Sequence, residues 1–235
     1  MRLNRFYLEN FSNQKNIILD QSSLFHQIKN VLKMKTGDFI SLFFAPYEAV
    51  YKIEKIDNKK IFLTWQKDVV AKNIINKEIV LLQSLIKKDK MEWVVQKAVE
   101  LGVSEIIPII SERSEKKDIN LNRLNKISIE ASEQCGRVDL IKISPVIKFS
   151  KVFQEVEGIS FLGDGSGDFF VDKIKGLNIK KNKINIFIGP EGGWSIEELE
   201  LAKKNKVEIV RLNNNILRSE TATAAFLSLI SNCLK

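Results

Sequence analysis

Two stretches near the C-terminus share one layout: a short apolar run, a turn-forming loop, then a helix start. That layout restricts the chain to a sheet whose strands hand over to helices through polar loops. In the first, Ile184-Asn185-Ile186-Phe187-Ile188 runs into Gly189-Pro190-Glu191-Gly192-Gly193-Trp194. The apolar run has strand character, and the loop cannot extend it. Proline lacks the N–H that a ladder needs, and the glycines supply the backbone freedom of a tight loop. Ser195 and Glu198 then stand at capping-box spacing, which predicts a helix from about Ser195. In the second, Val207 to Leu212 alternates like a strand and is followed by Asn213-Asn214-Asn215, a residue type that tolerates left-handed backbone. Ala222, Ala225, Phe226, Leu229, Ile230 and Cys233 recur beyond it at one-face helical spacing. Ligands of open α/β sheets bind at the carboxyl ends of strands, so the two loops together predict a small-molecule pocket. Gly-Pro-Glu-Gly-Gly alone would be an ordinary tight turn; the nearby Arg218-Ser219-Glu220-Thr221 shifts the balance toward a site.

Upstream, the period changes once. Residues 1–71 are expected to form a small β-rich domain: Arg5–Leu8, Phe39–Phe44, Ala49–Ile53 and Lys60–Trp65 are strand-like, and Ser23–Leu32 carries the pattern of a short helix. Lys72–Lys77 is polar and unpatterned, the mark of a linker. Residues 72–235 then alternate strand and helix. Glu78–Gln83 precedes a helix over Asp89–Leu101 stopped at Gly102, and Glu105–Ile110 is again strand, its Pro108 implying an edge or a strand end. A helix is expected over Asn122–Gly136, a short one over Lys151–Val156, a strand over Ile159–Gly163, and a flexible loop at Asp164–Asp168. Alternation of this kind predicts a parallel α/β sheet.

Composition excludes several classes. Hydrophobic content of 44% with 28% charged residues is that of a soluble globular protein, and no apolar run is long enough to span a bilayer, so a cytoplasmic protein is expected. Cys135 and Cys233 lie far apart, and His26 is the single histidine, which argues against a metal site. The net charge of +8 favours a polyanionic partner, although the lysines that make up most of the excess are spread along the chain.

IGPEGGW (188–194) followed by ILRSETATAA (216–225) resembles the C-terminal signature of the RsmE family. These are bacterial methyltransferases of the SPOUT class that methylate N3 of a uridine in 16S ribosomal RNA of the small subunit. The resemblance continues upstream. KKDKMEWVVQKAVELGV (87–103) and SERSE (111–115) are similar to the family's block in the same order, with Val99 where threonine is common. EASEQCGR (130–137) is similar to another family motif, and His26 to Asp38 resembles the opening of its N-terminal RNA-binding domain. The sequence departs from the family at Asn213-Asn214-Asn215, where a glycine-containing loop is more usual.

The resemblance implies a SPOUT-type parallel sheet with a C-terminal trefoil knot, preceded by a small PUA-like β-barrel. It also implies S-adenosyl-L-methionine as methyl donor and a homodimer. By position, Leu162, Gly163, Ile188, Gly189, Glu191, Gly192, Gly193, Leu212, Asn215, Ile216, Leu217 and Thr221 would hold the cofactor. Arg2, Arg5, His26, Lys33, Arg113, Glu133, Gln134 and Arg137 would contact RNA; His26 would equally serve to pack or cap locally, and Gly136 is simply a good helix terminator. Methylation at N3 requires removal of the N3 proton and stabilisation of charge on the uracil oxygens. Arg218 is the candidate for the second task, and Glu191 or Glu220 for the first. The alternatives are an Arg218–Glu220 ion pair, a Glu220 that serves the helix dipole, and a Glu191 that is only a turn residue. A protein that binds RNA without catalysis and keeps the fold is the competing reading.

Overall fold

Alternating side chains put every second residue of a strand on one face, and in the N-terminal part this builds a mixed sheet. The computed structural model describes residues 3–12, 14–70, 78–175 and 183–233. The chain divides into two units, one made of Met1–Ile74 with Ser132–Leu140, the other of Ile75–Ala131 with Ile141–Lys235. Arg2 and the expected linker at Lys72–Lys77 lie outside the described residues.

The first unit holds β1 (Asn4–Tyr7), β2 (Asn16–Leu19), β3 (Phe39–Phe44), β4 (Tyr47–Asp57) and β5 (Lys60–Asp68), in the order β1-β3-β4-β5-β2. β1 runs parallel to β3 and the other pairs are antiparallel. Phe6, Leu19, Ile28, Ile40, Leu42, Tyr51, Ile53 and Ile61 form its core. The Tyr51 hydroxyl donates to the Gln14 carbonyl at 2.8 Å, and burial pushes its phenol up to about 12, so it remains a donor across the ordinary pH range. The helix expected over Ser23–Leu32 is instead α1 (Ser22–Phe25) followed by a π-helical turn over His26–Val31. The Leu32 N–H reaches back five residues to the Gln27 carbonyl, and Ile28 is wholly buried by the wider turn.

Arg5 organises this unit from inside. Its Nε and Nη2 donate to the two Glu48 carboxylate oxygens at 2.8 and 3.0 Å. Nη1 donates to the carbonyls of Ser132 (2.7 Å) and Glu133 (3.3 Å), and Nη2 also to that of Arg137 (3.1 Å). All five N–H donors of the guanidinium are thereby used. The side chain is 8% exposed and lies 4.4 Å from the Phe43 ring centroid. The Ser132 and Glu133 carbonyls belong to the last turn of α3 (Leu121–Cys135), whose end carries the negative pole of the helix, and Gly136 stops that helix at φ +89°. Glu133 accepts the Tyr7 N–H at 3.0 Å, and Arg137, 4% exposed, pairs with Asp139 at 2.7 Å. The expectation that Arg5 and Arg137 contact RNA is therefore corrected: both guanidinium groups are buried among protein partners. Arg5→Ala should lower stability by about 3 kcal/mol, because Glu48 is left as an unpaired buried charge. Arg5→Lys should rescue little of it, since an ammonium cannot reproduce the fork; urea denaturation followed by circular dichroism checks both.

The second unit is a parallel sheet of β6 (Ile79–Ser84), β7 (Glu105–Ile110), β8 (Lys142–Ile143), β9 (Ile147–Lys148), β10 (Ile159–Phe169), β11 (Ile184–Ile188) and β12 (Glu208–Arg211). The order is β12-β10-β11-β6-β7-β8, with β9 also on β7, and every pairing is parallel. β6 and β11 are buried on both faces, as continuous apolar runs require in such a sheet. Along the chain run α2 (Lys88–Glu100), α3, α4 (Phe170–Ile174), α5 (Ile196–Lys204) and α6 (Ser219–Cys233). A 3-10 turn over Phe149–Gln154 stands where a short helix was expected. Pro108 is not on an edge strand. On one side it faces Gln83; on the other, β8 pairs only with Glu105 and Ile106 and β9 only with Ile109 and Ile110, so the residue without an N–H sits in the break.

β10 also differs from expectation. Gly163 and Asp168 are both registered opposite Val210, so Asp164–Gly167 is a bulge inside one strand and not a loop after it. A Cβ on Gly167 would run into the Ile209 carbonyl, which explains the glycine. Among the described residues no helix is long and apolar enough to cross a membrane, and no cluster of His, Cys, Asp or Glu could hold a metal ion.

Candidate functional site

β12, β10 and β11 are neighbours that run the same way, so the segments leaving Arg211, Gly163 and Ile188 open on the same end of the sheet. They enclose a cavity of about 520 Å³ lined by Gly163–Gly165, Ile188–Trp194, Val210–Leu217, Ser219, Ala222 and Phe226. That volume lies within the range of small-molecule sites.

The first loop is held from several sides. The Gly193 N–H donates to the Pro190 carbonyl at 3.0 Å, with Gly193 at φ +69°. The Trp194 indole N–H donates to the Gly163 carbonyl at 3.0 Å and ties the loop to β10 where its bulge begins. A Cβ on Gly189 would press on the same indole at 3.1 Å. Arg113 donates from Nη1 to the Gly192 carbonyl at 3.1 Å. The expected capping box is present at Ser195 and Glu198, and the second Glu198 oxygen accepts the Glu112 N–H at 2.9 Å.

A buried relay joins the two loops. Gln83, an amide inside an apolar strand, donates from Nε2 to the Ser219 hydroxyl oxygen at 3.0 Å and accepts from the Thr223 hydroxyl at 2.7 Å. Ser219 in turn donates to the Gly189 carbonyl at 2.6 Å. In the second loop the Asn215 N–H donates to the Asn213 side-chain oxygen at 2.8 Å, an Asx turn, and Ile216 stands 101% exposed. Phe226 closes the floor; a Cβ on Gly163 would lie 2.8 Å from its ring.

Charge concentrates at one flank. Lys90, in the first turn of α2, lies 3.3 Å from Glu191 Oε1 and 3.6 Å from Glu220 Oε1. Glu220 Oε2 is buried without a hydrogen-bond partner among the described residues. Arg218 is exposed and, among the described residues, makes no ion pair, so the alternative Arg218–Glu220 pair is not formed.

Of the expected cofactor residues, Gly163, Ile188, Gly189, Glu191, Gly192, Gly193, Leu212, Asn215, Ile216 and Leu217 line the cavity. Leu162 lies one residue inside it, wholly buried in the core, and Thr221 is exposed on α6 and does not line it. Of the expected RNA contacts, Lys33 is exposed at φ +53°, Gln134 is exposed, and Arg113 braces the glycine loop. His26 is exposed, with Nδ1 3.0 Å from Asn30 Nδ2, a contact of the local kind given as its alternative. Sequence reasoning missed Gln83, Lys90, Trp194, Ser219 and Thr223. Gln83 carried a signal, a lone amide in an apolar run, as did the four-residue spacing of Ser219 and Thr223.

The class follows from comparison with known proteins. Residues 74–231 match the family model of the RNA methyltransferase domain. "Ribosomal RNA small subunit methyltransferase E 2" of Borreliella burgdorferi is 35% identical over 221 residues, covering 88% of this chain and 87% of that protein. A putative methyltransferase from Legionella pneumophila, solved in complex with the bound cofactor SAM, superposes with a TM-score of 0.89 at 26% identity, over 99% of this chain and 98% of the other. Ribosomal RNA small subunit methyltransferase E from Neisseria gonorrhoeae, bound to S-adenosyl methionine, gives 0.88 at 26% identity with the same coverage. The chain belongs to the ribosomal RNA small subunit methyltransferase E family.

Ser219→Ala would leave the Gly189 carbonyl and the Gln83 amide each short of a partner. It should cost about 1–3 kcal/mol of stability and loosen the first loop, weakening S-adenosylmethionine binding several-fold; thermal melts and titration calorimetry check the two effects.

Proposed function

We propose that the chain transfers a methyl group from S-adenosyl-L-methionine to N3 of a uridine in 16S ribosomal RNA of the small subunit. The observation that carries this reading is the cavity built from the loops after β11 and β12 and the bulge of β10 between them, in a chain of this family. Its chemistry fits the cofactor. Gly189, Gly192, Gly193, Leu212, Asn215, Ile216 and Leu217 present backbone and apolar surface around a volume suited to a nucleoside, and Gly163, at the bulge of β10, and Ile188, at the end of β11, border it. Leu162 supports the wall from behind. Thr221 is exposed on α6 and does not line the cavity.

When bound, the cofactor supplies an activated methyl on a sulfonium, so the chain's own task is mostly positioning. The Ser219 and Trp194 hydrogen bonds hold the two loops before substrate arrives. Arg218, exposed beside α6 and free of an ion pair among the described residues, is suited to stabilise charge on the uracil oxygens or to grip a flanking phosphate. Glu191 or Glu220 takes the N3 proton, a step of the kind that contributes about 10²–10⁴-fold. The target base must leave its stack to reach the cavity. His26, Lys33, Arg113 and Gln134 are the described candidates to hold RNA, with Glu133 fixing the backbone of β1.

The same reading includes a trefoil knot near the C-terminus, a PUA-like barrel in the N-terminal unit, action as a homodimer and a cytoplasmic setting. The position of β12 beside β10, not β11, supports the knot, and the five-stranded sheet supports the barrel.

The reading is tested by mapping methylation of ribosomal RNA from cells lacking this protein; one uridine methyl group should be missing, and a full set of methyl groups refutes it. Arg218→Ala and Glu191→Gln should each lower turnover by about a hundredfold while cofactor affinity stays within a few-fold; normal turnover in both removes the assignment. Light scattering should return twice the chain mass of 26.9 kDa, and a monomer at assay concentration contradicts the dimer.

A further inference from the structure

The structure assigns Lys90 as a positioning residue that, anchored on Glu220, holds the Glu191 carboxylate at the cavity as the acceptor of the N3 proton. The inference deepens the methyltransferase reading and rests on it.

Glu191 and Glu220 come from separate elements, the loop after β11 and the first turn of α6, yet one ammonium serves both, at 3.3 and 3.6 Å. Lys90 itself is third in α2 and only 24% exposed. Two carboxylates drawn to one point repel each other unless a cation stands between them. The two are not equivalent. Glu191 lines the cavity, whereas Glu220 does not and keeps one oxygen buried. Glu220, off the cavity, is out of reach of a substrate proton and serves as the anchor for the ammonium. Glu191, with a side chain 29% exposed, is the carboxylate that substrate can meet.

Arg113 is bound to the Gly192 carbonyl next to Glu191 and leaves the Glu191 carboxylate to Lys90. The arrangement repeats the logic in which a base is oriented by a second group, itself fixed by a third. In the step, the proton on N3 passes to a Glu191 oxygen, and the N3 electron pair forms the bond to the methyl carbon. The carbon–sulfur pair returns to sulfur. Lys90 keeps its proton throughout and offsets the charge remaining on Glu220.

The test compares Lys90→Met, Lys90→Arg and Glu220→Gln with wild type. Small ribosomal subunits from cells lacking the protein serve as substrate, with calorimetric titration of S-adenosylmethionine alongside. Lys90→Met should lower kcat at least tenfold, with KM for subunits and cofactor affinity within about twofold of wild type. Lys90→Arg should recover most of the rate, because a guanidinium bridges two carboxylates as well. Glu220→Gln should lower kcat less than Glu191→Gln does. Undiminished kcat in Lys90→Met, a change confined to KM or cofactor affinity, an arginine variant as slow as the methionine one, or a Glu220→Gln loss equal to that of Glu191→Gln overturns the inference while the methyltransferase reading stands. A wild type that transfers no methyl removes the reading and the inference together.

Discussion

Parallel strands that lie side by side all run toward the same side, and in this chain β12 and β11 each give way there to a loop rather than directly to a helix, while β10, between them, bulges at Asp164–Gly167. Everything attributed to the site follows from that geometry. The loops converge because the strands are hydrogen-bonded neighbours, and the backbone carries the convergence whatever the side chains are. What side chains add is rigidity. The Trp194 indole ties β10 at Gly163 to the first loop, and the Gln83 amide ties both loops to a strand further inside the sheet. Pre-set loops lose little freedom when a ligand arrives, which is where affinity and rate are gained.

The relay through Gln83, Ser219 and Thr223 illustrates why burial of polar groups is tolerated here. Each donor and acceptor that it withdraws from water finds a partner, apart from the orphaned oxygen of Glu220 on its flank. A polar group left over beside a cavity is common at sites that handle charge.

Much of this was legible in the sequence, for reasons that are local. The capping box at Ser195, the helix stops at Gly102 and Gly136, and the apolar run of β11 depend on residues within a few positions of one another. The two loops were likewise readable because proline, glycine and asparagine act on their own backbone. Other features were hidden because their cause is distant in sequence. Arg5 has the composition of an RNA contact, but its partners are 43 and more than a hundred residues away. Gly167 was read as a flexible-loop glycine, yet it is required by the Ile209 carbonyl of another strand. Pro108 pointed to an edge or a strand end, and the sheet accommodates it at a gap between two short neighbouring strands. Lys90 was one lysine among many until the fold brought two carboxylates to it.

Residues Ser132–Leu140 cluster with the N-terminal unit although both flanking segments belong to the other, so the polypeptide passes between the units more than once. The helix end they carry supplies carbonyl acceptors to Arg5 and a carboxylate to the backbone of β1. An excised N-terminal fragment would therefore keep a guanidinium wedged in its interior with acceptors missing. Evolution cannot shuffle such a module as a bead on a string: to graft it onto another scaffold, the distant peptide must travel with it, and that interdependence ties the inheritance of the two halves together.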